Sequence, residues 1–163
     1  DVEGIAINPN KSQFLIVNES KRTLIKLNFD GIVVKKVKIK GKQDHHNSGL
    51  EGIAYNASKN KTYVLNEKSP KQLLEVNKKG DILNKLKLDF SKDLSGLCFD
   101  EKTNTFWIVS DESKHIYNIS KKGKLLKKYK IPVEKAEGIT VYKNHIYIVS
   151  DSLNKLFVFE MDD

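Results

Sequence analysis

The chain has 163 residues, 39% of them hydrophobic, which is enough for one ordinary globular core. Its formal charge of +8 rests on lysine, with Arg22 the only arginine; the guanidinium forks favoured by specific phosphate and guanine readers are almost wholly missing, so nucleic-acid binding is not expected. No run approaches the roughly 18 apolar residues of a membrane-spanning helix, no secretory signal opens the chain, and a single cysteine, Cys98, excludes an internal disulfide framework.

The first element is a motif, Asp1-Val2-Glu3-Gly4-Ile5-Ala6, that returns as Leu50-Glu51-Gly52-Ile53-Ala54, Leu94-Ser95-Gly96-Leu97-Cys98 and Ala136-Glu137-Gly138-Ile139-Thr140. Its glycines stand 48, 44 and 42 residues apart, the spacing of four-stranded propeller blades. One domain, 1–163, thus divides into units over 1–43, 44–90, 91–133 and 134–163.

In the first unit an alternating run, Gln13 to Val17, predicts a second strand, and the Asp30-Gly31 turn leads into a Lys-rich fourth strand from Ile32 to Ile39. The second unit opens on Asp44-His45-His46, metal-ligand residue types that lack a companion cluster and read as a polar linker. It continues through Thr62 to Leu65, Leu73 to Val76, the Lys79-Gly80-Asp81 turn and Ile82 to Leu88. The third repeats this order with Thr105 to Val109, Ile116 to Ile119, Lys122-Gly123-Lys124 and Leu125 to Ile131, and places Trp107 in its core. The fourth has His145 to Val149 and stops at Phe157-Val158-Phe159-Glu160 without an outer strand.

Helical periodicity is absent, and a sandwich or barrel would not require one motif at the same place in every unit. The reading is an all-β propeller of four-stranded antiparallel blades. Four repeat units lie in this chain, as part of a five- or six-bladed ring whose N-terminal part lies outside it. Lys35, Lys36, Lys38, Lys85, Lys87, Lys127, Lys128 and Lys130 then fall on outermost strands, where charge blunts edge-to-edge pairing.

A second acidic position follows each motif glycine: Glu19, Glu67 and Asp111 at 15 residues, and Asp151 at 13. A hairpin of two six-residue strands returns the chain to the edge where it began, so both acids of a unit belong on one face. Glu3, Glu51 and Glu137 should sit at the channel mouth, with Glu19, Glu67, Asp111 and Asp151 one strand further out. The third unit carries Ser95 in place of the glutamate but adds Glu112, which suits an off-centre site near Asp111 and Glu112. Crowded carboxylates repel one another unless neutralised, and calcium, which takes six to eight oxygen ligands, is the natural partner for these eight acids. The competing reading is that they bond to backbone groups of neighbouring blades and lock the ring.

The succession of Glu-Gly-Ile-Ala, Asp93-Leu94-Ser95-Gly96-Leu97, Val109-Ser110-Asp111-Glu112-Ser113, Ala136-Glu137-Gly138-Ile139 and Tyr147-Ile148-Val149-Ser150-Asp151 resembles the SdiA-regulated (YjiK-like) propeller family over essentially the whole chain. The resemblance implies a bacterial extracytoplasmic protein of the periplasm or cell envelope, with membrane association only through an N-terminal anchor outside this chain. It does not supply a reaction. The expected function is a calcium-stabilised binding module for a protein or small-molecule ligand. The alternative is a metal-dependent hydrolase of lactones or phosphoesters at the same face.

Overall fold

The computed structural model describes residues 2–41 and 49–161; Asp44, His45 and His46 lie outside them. The described residues are all-β, with one short 3-10 turn at Pro9–Lys11. The first sheet holds β1 (Val2–Asn8), β2 (Gln13–Asn18), β3 (Thr23–Asn28) and β4 (Val33–Lys38). The second holds β5 (Leu50–Asn56), β6 (Lys61–Asn66), β7 (Gln72–Val76) and β8 (Ile82–Lys87). The third holds β9 (Gly96–Asp100), β10 (Thr105–Ser110), β11 (His115–Ser120) and β12 (Leu125–Lys130). The fourth has three strands, β13 (Ala136–Tyr142), β14 (His145–Ser150) and β15 (Lys155–Glu160). Strands pair antiparallel in chain order within each sheet, giving four propeller blades as the repeat predicts.

The alternation of side chains along each second strand explains why the blades stack. In β6, Tyr63 and Leu65 pack toward the third blade and Val64 toward the first. In β10, Phe106 and Ile108 face the second blade while Trp107 and Val109 face the fourth. Period-2 patterning with both faces apolar is what a strand enclosed between two sheets requires. Three apolar layers result, one at each blade seam. Each fully buried leucine, isoleucine or phenylalanine in them is worth about 1.5–3 kcal/mol.

The outward face of the first blade exposes Ile5 and Ile7, and that of the fourth exposes Val149, Leu156 and Val158. The outermost strands β4, β8 and β12 are largely exposed and lysine-rich. No helix of the described residues is long and apolar enough to cross a membrane.

The motif glycines sit on the innermost strands, where the blades come closest. A Cβ on Gly4 would stand 2.4 Å from the Glu51 carbonyl oxygen, and one on Gly52 would stand 2.8 Å from the Leu97 Cβ. The repeated glycine is therefore a close-approach residue that lets neighbouring inner strands converge around the channel.

Candidate functional site

Each glutamate of the motif is delivered by a local irregularity of its strand. Val2 pairs with Asn18 and Ile5 with Ile16, leaving Glu3 and Gly4 opposite Val17 alone. The same slip sets Glu51 and Gly52 against Leu65, and inserts Glu137 between the Ala136 and Gly138 pairings. An extra residue of this kind bends the strand and re-aims its side chain, here into the mouth of the channel. The second acids follow directly: Glu19, Glu67, Asp111 and Asp151 are the residues just after β2, β6, β10 and β14.

These groups line one open cavity of about 810 Å³ whose walls come from all four blades. Its lining includes Glu3, Glu19, Glu51, Glu67, Asp93, Asp111, Glu112, Glu137 and Asp151, against Lys68, Lys135 and Lys155. In a chain of net charge +8, acid has been concentrated at one end. All eight residues singled out in the sequence border this cavity.

The acids divide into two groups within it. Glu19, Glu51 and Glu67 each place a carboxylate oxygen within 4.8 Å of the others, at the seam of the first and second blades. Glu51 carries the consequence: burial, followed by repulsion from Glu19, Glu67, Glu3 and Glu137, pushes its carboxyl up to about 9. Burial also raises Glu67, although Lys68 opposes it, and burial with the nearby Asp111 raises Glu137. A carboxyl kept protonated in this way reports a site short of positive charge.

The second group is already compensated. Asp111, buried at the third blade, is ion-paired to Lys114 at 2.8 Å and to Lys135 of the fourth blade at 3.3 Å. Burial opposes its ionisation, but these two lysines outweigh burial and hold it below the usual carboxylate range. Glu112 pairs at 2.6 Å with Lys68 of the second blade, which also reaches Glu67 at 3.0 Å.

Some of the mouth is fastening. Glu19 accepts the backbone N–H of Gly49 at 3.0 Å, across the first seam. Arg22 donates to the Asn66 side chain at 2.9 Å across the same seam. The second seam has Lys68 with Glu112, and the third has Lys135 with Asp111. Locking of blades and crowding of acids coexist, and Glu19 takes part in both.

Sequence reasoning passed over Asp93. It is buried, accepts hydrogen bonds from Ser95 and Ser110 and from the Glu112 backbone, and lines the mouth in the unit that lacks the motif glutamate. Its position two residues before Ser95 was the available signal. Lys68 and Lys135, which neutralise the second group, carried no such signal because their partners lie on neighbouring blades.

A model of the SdiA-regulated family matches residues 1–160. Solved structures share the architecture at low identity. Myxococcus xanthus glutaminyl cyclase aligns with a TM-score of 0.70 and 16% identity over 91% of this chain and 61% of its own. Virginiamycin B lyase of Staphylococcus aureus, crystallised as a catalytically inactive variant with quinupristin, gives 0.66 and 18% over 98% of this chain and 55% of its own. A protein of unknown function from Bacteroides caccae gives 0.62 and 12% over 98% and 61%. The chain spans about half the length of the solved structures it matches, and the likeness is one of fold.

Proposed function

The chain belongs to the SdiA-regulated family, and on that premise we propose that it is an extracytoplasmic binding module whose acidic channel mouth is stabilised by calcium and takes a protein or small-molecule ligand. The observation that carries this reading is the convergence of Glu19, Glu51 and Glu67 within 4.8 Å, with the Glu51 carboxyl raised to about 9. Three carboxylates fit a hard cation, and these three would hold it. Calcium would supply the charge that lets Glu51 ionise and would tie the first blade to the second. Glu3 and Glu137 lie on the same mouth and would face the ligand.

Calorimetric titration of the metal-free chain with calcium tests the reading. Saturable binding that is lost in Glu51→Gln and weakened in Glu19→Gln supports it; heats indistinguishable from dilution in the unsubstituted chain refute the metal.

The raised Glu51 carboxyl also favours a second reading, in which the mouth hydrolyses lactones or phosphoesters with metal help. A metal beside Glu51 would bring its carboxyl down from about 9 toward neutrality, where a carboxyl in an open cavity can exchange protons with a substrate. The solved fold relatives include enzymes, a glutaminyl cyclase and a lyase. Turnover of a lactone or phosphoester that disappears in Glu51→Gln would favour this reading over binding alone.

A further inference from the structure

The opposite end of the same seam carries a second cleft of contrary sign. It lies a strand length from the acids, about 17 Å along β1 by strand rise, where the hairpin turns of the first and second blades meet. The turn joining β1 to β2 contributes Lys11, that joining β5 to β6 contributes Lys59, and that joining β7 to β8 contributes Lys78 and Lys79. Lys26 enters from β3, and Asn8 and Tyr55 also line the space, which measures about 510 Å³. Small-molecule sites commonly fall within about 300–1,000 Å³.

Most of the cations here are not spent on internal partners. Lys61, which also lines the cleft, is paired with Glu75 at 2.7 Å, and the other acid of the cleft, Asp81, is held by Lys40 at 2.5 Å and by the Asn77 amide at 2.9 Å. Among the described residues no carboxylate lies within ion-pairing distance of Lys11, Lys26, Lys59, Lys78 or Lys79. Lys26 shows the strain, since burial first and then the nearby Lys11, Lys35 and Lys78 lower its affinity for a proton. Facing lysines with no counter-ion are unfavourable alone and favourable once an anion sits between them.

A second observation of a different kind points into the same cleft. Asn8 is 5% exposed, lines the cleft, and its side-chain oxygen has no hydrogen-bond donor. A buried acceptor left unpaired is unfavourable, and a ligand hydroxyl in the cleft would relieve it. Tyr55 cannot serve, because its hydroxyl donates to Asn60 at 2.6 Å.

We propose that the cleft between the hairpin turns of the first and second blades binds a small phosphate ester of a polyol, with Lys11, Lys26, Lys59 and Lys78 around the phosphate and Asn8 accepting a ligand hydroxyl. Lysine ammonium groups hold phosphate as point charges and need no guanidinium fork. The site is independent of the acidic mouth.

The test is an NMR titration of the full chain with glycerol 3-phosphate, inorganic phosphate and glycerol in parallel. Binding of glycerol 3-phosphate should shift the amides of Asn8, Lys26, Tyr55 and Lys59. It should be at least about fivefold tighter than inorganic phosphate, as expected for about 1 kcal/mol from one added hydrogen bond. Lys26→Gln and Lys78→Gln should each weaken it severalfold, and Lys127→Gln on β12 should not. The exposed position of Lys78 keeps the test interpretable if Lys26→Gln unfolds. Absence of saturable shifts to about 10 mM, a dissociation constant that would be worth under 3 kcal/mol, overturns the proposal. So does equal loss in Lys127→Gln, or inorganic phosphate binding as tightly as the ester.

Discussion

Arg22 donates a hydrogen bond to the side-chain oxygen of Asn66 at 2.9 Å, across the seam between the first and second blades. The only arginine of the chain is 5% exposed, yet its partner is an amide and its Nε has no acceptor. A buried cation held, among the described residues, by one neutral bond contributes more through its packing than through its charge. Arg22→Ala is expected to cost about 2–4 kcal/mol by leaving a cavity and an unpaired Asn66 oxygen. Arg22→Met, which leaves the Asn66 oxygen equally unpaired but keeps the volume and removes the desolvated charge, should cost clearly less than Arg22→Ala. Urea denaturation of both variants measures the difference, and equal losses would show that the charge itself holds the seam.

Without calcium, stability should fall as pH rises through neutrality. Glu51 holds its proton more tightly folded, at about 9, than at its ordinary value of 4.5. Its contribution is fully present below the unfolded value and is lost as pH rises toward the folded one, with a slope of at most about 1.4 kcal/mol per pH unit. Melting temperatures of the calcium-free chain should therefore decline from pH 5 to 9. In Glu51→Gln, which stays neutral, the decline should flatten. An unchanged profile in the variant would show that Glu51 ionises freely.

The glycines of the motif can be tested one at a time. Gly52→Ala places a methyl 2.8 Å from both the Cβ and the backbone nitrogen of Leu97, and Gly4→Ala places one 2.4 Å from the Glu51 carbonyl oxygen. Overpacking commonly costs about 1–3 kcal/mol. Gly4→Ala should also disturb the calcium response, because the strand it displaces carries Glu51. Gly31→Ala has open space around its Cβ, and its penalty should come only from a positive φ of 81°.

How far the sequence reaches can be judged from particular residues. The motif glycines and the alternation of Thr62 to Leu65 or Thr105 to Val109 predict blades, because a strand's period and a repeat's period are local properties. The hairpin argument also predicts that Glu19 and Glu51 share a face. It does not separate the crowded trio from Asp111 and Glu112, since Lys68 and Lys135 reach those acids only after neighbouring blades have docked. The bulges that aim Glu3, Glu51 and Glu137 are likewise invisible in composition. The lysines of Lys11, Lys59 and Lys78 look like ordinary turn residues until three hairpin turns are brought together.

Lys68 stands between the trio and its neighbours, paired to Glu67 at 3.0 Å and to Glu112 at 2.6 Å, and both carboxylates hold its proton more firmly than usual. It is the resident cation beside the trio, and a calcium ion on Glu67 must compete with it. The Lys68–Glu112 pair is exposed and worth about 0.2–1 kcal/mol, so Lys68→Met should lower the stability of the calcium-free chain only slightly. The same substitution should tighten calcium binding up to about fivefold, because it frees Glu67 without removing a ligand. Glu67→Gln should do the opposite, weakening calcium while sparing most of the metal-free stability. Calorimetry on the two variants separates a metal site from a blade fastening: if Lys68→Met destabilises the chain strongly and leaves calcium affinity unchanged, Lys68 and its two partners serve as a clasp between the second and third blades.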